Sequence, residues 1–163
     1  VFGLNNGMVP IISYNYGAAR LDRVRQTFRL TAAVATVIMV AGCAAFNLIP
    51  GLLLGFFSPS AEMLSIGTVA LRVISYSFLL AGFDIIAGSV CQAIGNPVHT
   101  LICSICRQLV ALLPAAWLLA QTGILDLVWF CFPISELVSL VLSILFLRKT
   151  MRAAEAKIAA LPG

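Results

Sequence analysis

Apolar residues gather in four long runs, 31–57, 64–94, 98–120 and 127–147, with few charges inside them. Each run is near or above the ~20 residues that a helix needs to cross a bilayer. The pattern predicts an all-α fold, a polytopic transmembrane helix bundle with four complete spans. The connectors are so short that successive helices must run up and down as neighbours, and no soluble domain fits between them.

The flanks of the runs add two further elements. Residues 1–16 are apolar but too short to cross, and they have neither a basic leading region nor a small-residue cleavage site. They read as the end of a truncated fifth helix, so the chain is expected to be a carboxy-terminal piece of something larger. Between them and the first run, Leu21, Val24 and Phe28 fall at helical spacing opposite arginines, a segment suited to lying along lipid headgroups. Residues 148–163 read as a polar helical tail that fades into Leu161, Pro162 and Gly163.

Composition agrees, with 61% apolar and 10% charged residues and a mean hydropathy of +1.07, against about 25% charged in a soluble protein. The net charge of +4 comes from clusters at helix ends: Arg20, Arg23, Arg25 and Arg29 before the first run, and Arg148, Lys149, Arg152 and Lys157 after the last. No basic stripe interleaved with aromatics is present, which argues against nucleic acid. Basic residues accumulate on the cytoplasmic side of spans, so both clusters and the carboxy terminus are placed in the cytoplasm of a multi-pass protein of the plasma or inner membrane. The connectors holding Glu62 and Asp126 carry only acidic charge and fall outside.

Charges within the runs are the candidates for chemistry, because an acid deep in a bilayer needs a partner, a proton or water. Helical spacing stacks Ser77, Ala81, Asp84, Gly88, Cys91 and Gly95 on one narrow face, which either packs on another helix or lines a cavity. Asp84 there reads either as a group that takes up a proton and releases it when a cation arrives, or as a satisfied structural carboxylate. Glu136 follows Pro133, whose missing N–H is expected to free the Trp129 carbonyl in a bent helix, and Ser139 and Ser143 extend a polar track beyond it. Arg72 and Arg107 are expected to reach an interface by extending their stems, with pairing to a carboxylate on a neighbouring helix as the alternative for Arg107.

Other residues carry weaker signals. Phe78, near Asp84, is the aromatic assigned to a substrate cavity, and Asn5 and Asn6 read either as cavity lining or as packing around a kink at Pro10. Trp117, Trp129, Phe130 and Phe132 read as interface anchors. His99, Cys103 and Cys106 share a face, but no second cysteine pair closes a set, so no metal is expected. No disulfide is expected within the spans either. With no metal cluster, no histidine-supported serine and no paired carboxylates on one helix, an enzyme is not indicated and no cofactor is called for.

Several segments together resemble one family. "VPIISYNYGAARLDRVRQTFRL" at 9–30, "CQAIGNP" at 91–97, Arg107 with Gln108, "LLP" at 112–114 and "VWFCFPISELVSL" at 128–140 resemble the carboxy-terminal lobe of the multidrug and toxic compound extrusion (MATE) transporters. The resemblance implies the end of helix eight plus helices nine to twelve of a two-lobe, twelve-helix transporter, whose amino-terminal lobe would be a partner of this chain. It implies antiport of a small cationic or lipophilic drug against H+ or Na+ across the lipid bilayer. It also implies an acid in the helix of residues 64–91, which Asp84 matches after a one-residue adjustment, and an acid after the "PIS" stretch, which Glu136 supplies. Arg107, Gln108, Pro114 and Pro133 are implied as structural residues. Alternatives from the same context are a flippase for lipid-linked precursors, favouring a basic cavity, and a non-catalytic membrane subunit.

Overall fold

The computed structural model describes residues 1–160, and all regular structure among them is helical. The order is α1 (Phe2–Gly17), α2 (Leu21–Leu48), α3 (Pro50–Gly55), α4 (Ala61–Ala93), α5 (Pro97–Ile105), a π-helical segment (Cys106–Leu112), α6 (Leu113–Ala120), α7 (Leu125–Val128) and α8 (Cys131–Ala159). Four stretches are long and apolar enough to cross a membrane: Leu21–Leu48, Ala61–Ala93, Pro97–Ala120 and Leu125–Ala159.

Local chemistry sets the boundaries. Ser60 caps α4, its hydroxyl accepting the Met63 N–H at 3.2 Å. At the other end of α4, Gly95 takes φ +97° and the Asn96 N–H reaches back to the Cys91 carbonyl at 2.8 Å, a left-handed helix stop that a side chain would strain. Pro97 then opens α5 at a position where its absent N–H loses nothing. Pro50 in the same way starts α3 after α2 has ended at Leu48, so the run 31–57 is two helices separated by a break at Ile49.

The ends of the spans differ from the sequence expectation in two places. The segment of Leu21, Val24 and Phe28 does not lie along headgroups; it forms the first turns of α2. Val24 is fully buried, and Phe28 meets Phe83 edge to face at 6.0 Å, so burial against α4 is available to this apolar stripe without help from lipid. The polar segment 148–160 is likewise continuous with α8 up to Ala159, while positions 161–163 of the expected tail lie outside the described residues.

Helix α4 is the axis of the bundle, packed against α1, α2, α3, α5 and α8. Its contact with α2 is close because Gly82 has no side chain: a Cβ there would sit 2.9 Å from Met39 Cγ. The apolar core, made of Ile12, Val24, Ile86, Val90, Leu147 and Ala154 among others, gathers where α1, α2, α4 and α8 converge. At that end Arg25 and Glu155 form an exposed ion pair between the start of α2 and the end of α8. The two basic clusters therefore share one face of the bundle.

Candidate functional site: a polar cleft with two buried carboxylates

A cleft of about 380 Å³ opens between α1, α4, α5, the π-helical segment and α8. Its wall on α4 carries Asp84 and Gly88, α1 contributes Asn5, α5 contributes Thr100 and Cys103, the π segment contributes Arg107, and α8 contributes Ser139 and Ser143. Gly88 makes the wall thin, since a Cβ there would lie 3.1 Å from Thr100 Cγ2, and the Thr100 hydroxyl donates to the Gly88 carbonyl at 2.9 Å. The expected small-residue face thus serves both readings at once: Gly88 lets α5 approach while Asp84, one turn away, faces the opening.

Asp84 is buried at 8% exposure, and neither of its carboxylate oxygens has a hydrogen-bond partner. The groups it faces are the Ser139 and Ser143 hydroxyls, the Glu136 carboxyl and the Arg107 guanidinium. Glu136 is also buried. Its Oε1 accepts from Arg107 Nη1 at 2.9 Å, while its Oε2 is unpartnered, as is the Asn5 Oδ1. Buried polar atoms are nearly always satisfied in a finished structure. Here four unpaired oxygens, all of them acceptors on Asp84, Glu136 and Asn5, crowd one region.

Arg107 does not extend to an interface. It stands roughly halfway along the 24-residue span Pro97–Ala120, about 15 Å from Pro97 at 1.5 Å per residue, too deep for its stem to reach water comfortably. The alternative of a cross-helix ion pair holds, with Glu136 of α8 as the partner. The residues around it wind as a π-helix, Cys106–Leu112, a local widening often found at functional positions. Nothing in the sequence flagged it; Pro114 stands in the first turn of the helix that follows, where its missing N–H and its ring act on the preceding turn.

Other expected site residues fall elsewhere. Asn6 is exposed and does not line the cleft that Asn5 lines, as adjacent helical residues diverge by about 100°. Phe78 packs on Phe46 of α2 in an edge-to-face pair at 5.4 Å, since it projects from α4 toward α2 and not toward α8. Gln108 and Pro114 are exposed. Pro133 does not free the Trp129 carbonyl, which accepts from the Phe132 N–H at 3.3 Å; α8 starts at Cys131, so the proline sits in a first turn where N–H groups have no intrahelical acceptor anyway. The break falls before α8, not inside it. His99 stacks on Phe146 at 4.6 Å and is hydrogen-bonded through Nδ1 to Thr150 at 2.9 Å, while Cys103 accepts from the Ser143 hydroxyl at 3.8 Å. These partners draw the His99 and Cys103 side chains to α8.

Comparison with known proteins places the chain. The multidrug export protein MepA of Staphylococcus saprophyticus is 28% identical over 132 residues, covering 79% of this chain and 28% of MepA. MepA of Staphylococcus haemolyticus is 26% identical over 131 residues, again 79% of this chain and 28% of the relative. Among solved structures, the MATE multidrug transporter DinF-BH superposes with a TM-score of 0.82 at 34% identity, over 91% of this chain and 33% of that one. The outward-facing conformation of a multidrug resistance MATE family transporter of the MOP superfamily superposes with a TM-score of 0.87 at 23% identity, over 95% of this chain and 35% of that one, which speaks to fold alone. The chain therefore spans about a third or less of the length of these relatives. Residues 1–118 match the MatE family, and with the helical membrane fold already described, this chain belongs to it.

Proposed function

We propose that this chain is the carboxy-terminal part of a cation-coupled antiporter that exports cationic or lipophilic drugs, and that Asp84 is the site in this part where a proton or sodium ion exchanges. The observation that carries the reading is the Asp84 carboxylate, buried and without a partner on either oxygen, in the wall of a polar cleft inside a membrane-spanning bundle. A bare carboxylate in such a place is unstable. It is stabilised by a proton, a small cation or a cationic substrate, and these exclude one another. Competition of that kind couples the outward movement of one to the inward movement of the other, because each ligand biases the helices toward the arrangement that holds it better. The basic end of the bundle is placed in the cytoplasm by the same charge bias that orients other membrane proteins.

A flippase for lipid-linked precursors is not favoured, since the one arginine of the cleft stands beside two acids, Asp84 in the cleft wall and Glu136 behind it, and leaves no basic lining. The test is Asp84→Asn in the full-length protein, reconstituted in vesicles with an imposed proton or sodium gradient. The variant inserts normally and loses gradient-driven drug export. Export at the unmutated rate would remove Asp84 from the mechanism.

A further inference from the structure

The charge balance of the cleft goes further than the identity of one acid, and rests on the reading of Asp84 given above. The charged groups that meet there come from three elements: Asp84 from α4, Arg107 from the π-helical segment and Glu136 from α8. The other polar side chains lining the cleft are neutral amides, hydroxyls and the Cys103 thiol. Two carboxylates and one guanidinium leave a single negative charge without compensation.

Geometry assigns that charge. Arg107 Nη1 lies 2.9 Å from Glu136 Oε1 and makes no hydrogen bond to Asp84, whose oxygens are unpartnered. Arg107 is held off Asp84 by a better-placed competitor.

We infer that Glu136 acts as a positioning residue that occupies Arg107, so that Asp84 is kept free to take one monovalent cation from outside, and that Arg107 and Glu136 together fix the capacity of this cleft at one. Without Glu136 the guanidinium, whose side chain is 34% exposed and already stands beside Asp84, turns to Asp84 and becomes its permanent counter-ion. Asp84 is then intact but closed to any other cation. Removing the arginine as well reopens it.

The experiment counts cations bound at saturation by the full-length protein in detergent, with radioactive sodium for Na+ and potentiometric titration through neutral pH for protons. Asp84→Asn binds one fewer than the unmutated protein. Glu136→Gln also binds one fewer, although Asp84 is untouched, and the double variant Arg107→Gln with Glu136→Gln returns to the original count. Should that pair fold poorly, Arg107→Met with Glu136→Met, which removes both members of the pair and strands neither, gives the same count. A merely structural Arg107–Glu136 pair would leave the Glu136→Gln count unchanged, or make the double variants no better than Glu136→Gln; either result overturns the inference while leaving Asp84 in place. An unchanged count in Asp84→Asn would instead remove the reading of Asp84, and the inference with it.

Discussion

Replacing Arg107 by methionine tests the energetics of the cleft separately from transport. The substitution removes the one cation that, among the described residues, stands beside the two buried carboxylates, and breaking a buried ion pair by deleting one partner costs about 3–5 kcal/mol because the other charge is stranded. The Arg107 side chain is 34% exposed and that of Glu136 12%, and Arg107 lines the polar cleft, so water in the cleft screens part of the loss and the expected destabilisation is about 2–3 kcal/mol. That is roughly a 30- to 150-fold shift in the ratio of folded to unfolded protein. Glu136→Met strands less, because the guanidinium it releases has Asp84 as a second partner; its cost is about 1 kcal/mol. The double variant leaves only Asp84 charged and falls within about 1 kcal/mol of the unmutated protein, since a buried pair is often replaceable by apolar groups of similar size. Reversible unfolding of the full-length protein in mixed micelles, followed by circular dichroism, measures all three. Equal costs for the two single variants, adding up in the double, would refute the asymmetric sharing of Arg107.

Two further predictions concern the helices that build the cleft. Gly82→Val drives a side chain into Met39 and costs about 1–3 kcal/mol in the same unfolding assay, and Met39→Ala added to it recovers most of the loss, because the obstruction is one flexible side chain; no recovery would show that the close approach of α2 and α4 is misplaced. Pro133→Ala changes stability by less than about 0.5 kcal/mol, because the proline occupies a first turn where no hydrogen bond is interrupted; a large gain in stability would mean that it bends a continuous helix after all.

The spans were legible because lipid imposes a simple code: runs of about 20 apolar residues must be helices. The breaks at Pro50, Gly95 and Pro97 follow from backbone chemistry that those residue types carry, a missing N–H or freedom to take positive φ. What failed was continuity, since the polar ends at Leu21 and Ala159 belong to the same helices as the apolar runs, and hydropathy marks the bilayer rather than the helix. The site was half legible. Asp84 and Glu136 stood out as charges in the wrong solvent, but their meeting depends on how α4 and α8 pack, which no single helix encodes. The Arg107–Glu136 pair had a usable signal, opposite charges at compatible depths in successive spans, each needing a partner. Phe78 and Asn6 show the limit of arguing by proximity in sequence: a residue near an acid along a helix faces it only at the right angular spacing. The π-helical turn around Arg107 left no trace in the pattern, because an i→i+5 turn keeps the same apolar composition as the α-helix around it.

The central claim, that a cationic substrate and a coupling ion contend for Asp84, is tested most directly by proton release. Full-length protein in weakly buffered detergent solution is mixed with a saturating cationic drug, and the protons expelled per protein are counted with and without Asp84→Asn. The account predicts that the variant releases one proton fewer at a pH where the cleft is loaded, or one sodium ion fewer if sodium is the coupling ion. The same release from both proteins, with the drug bound equally well, would contradict it.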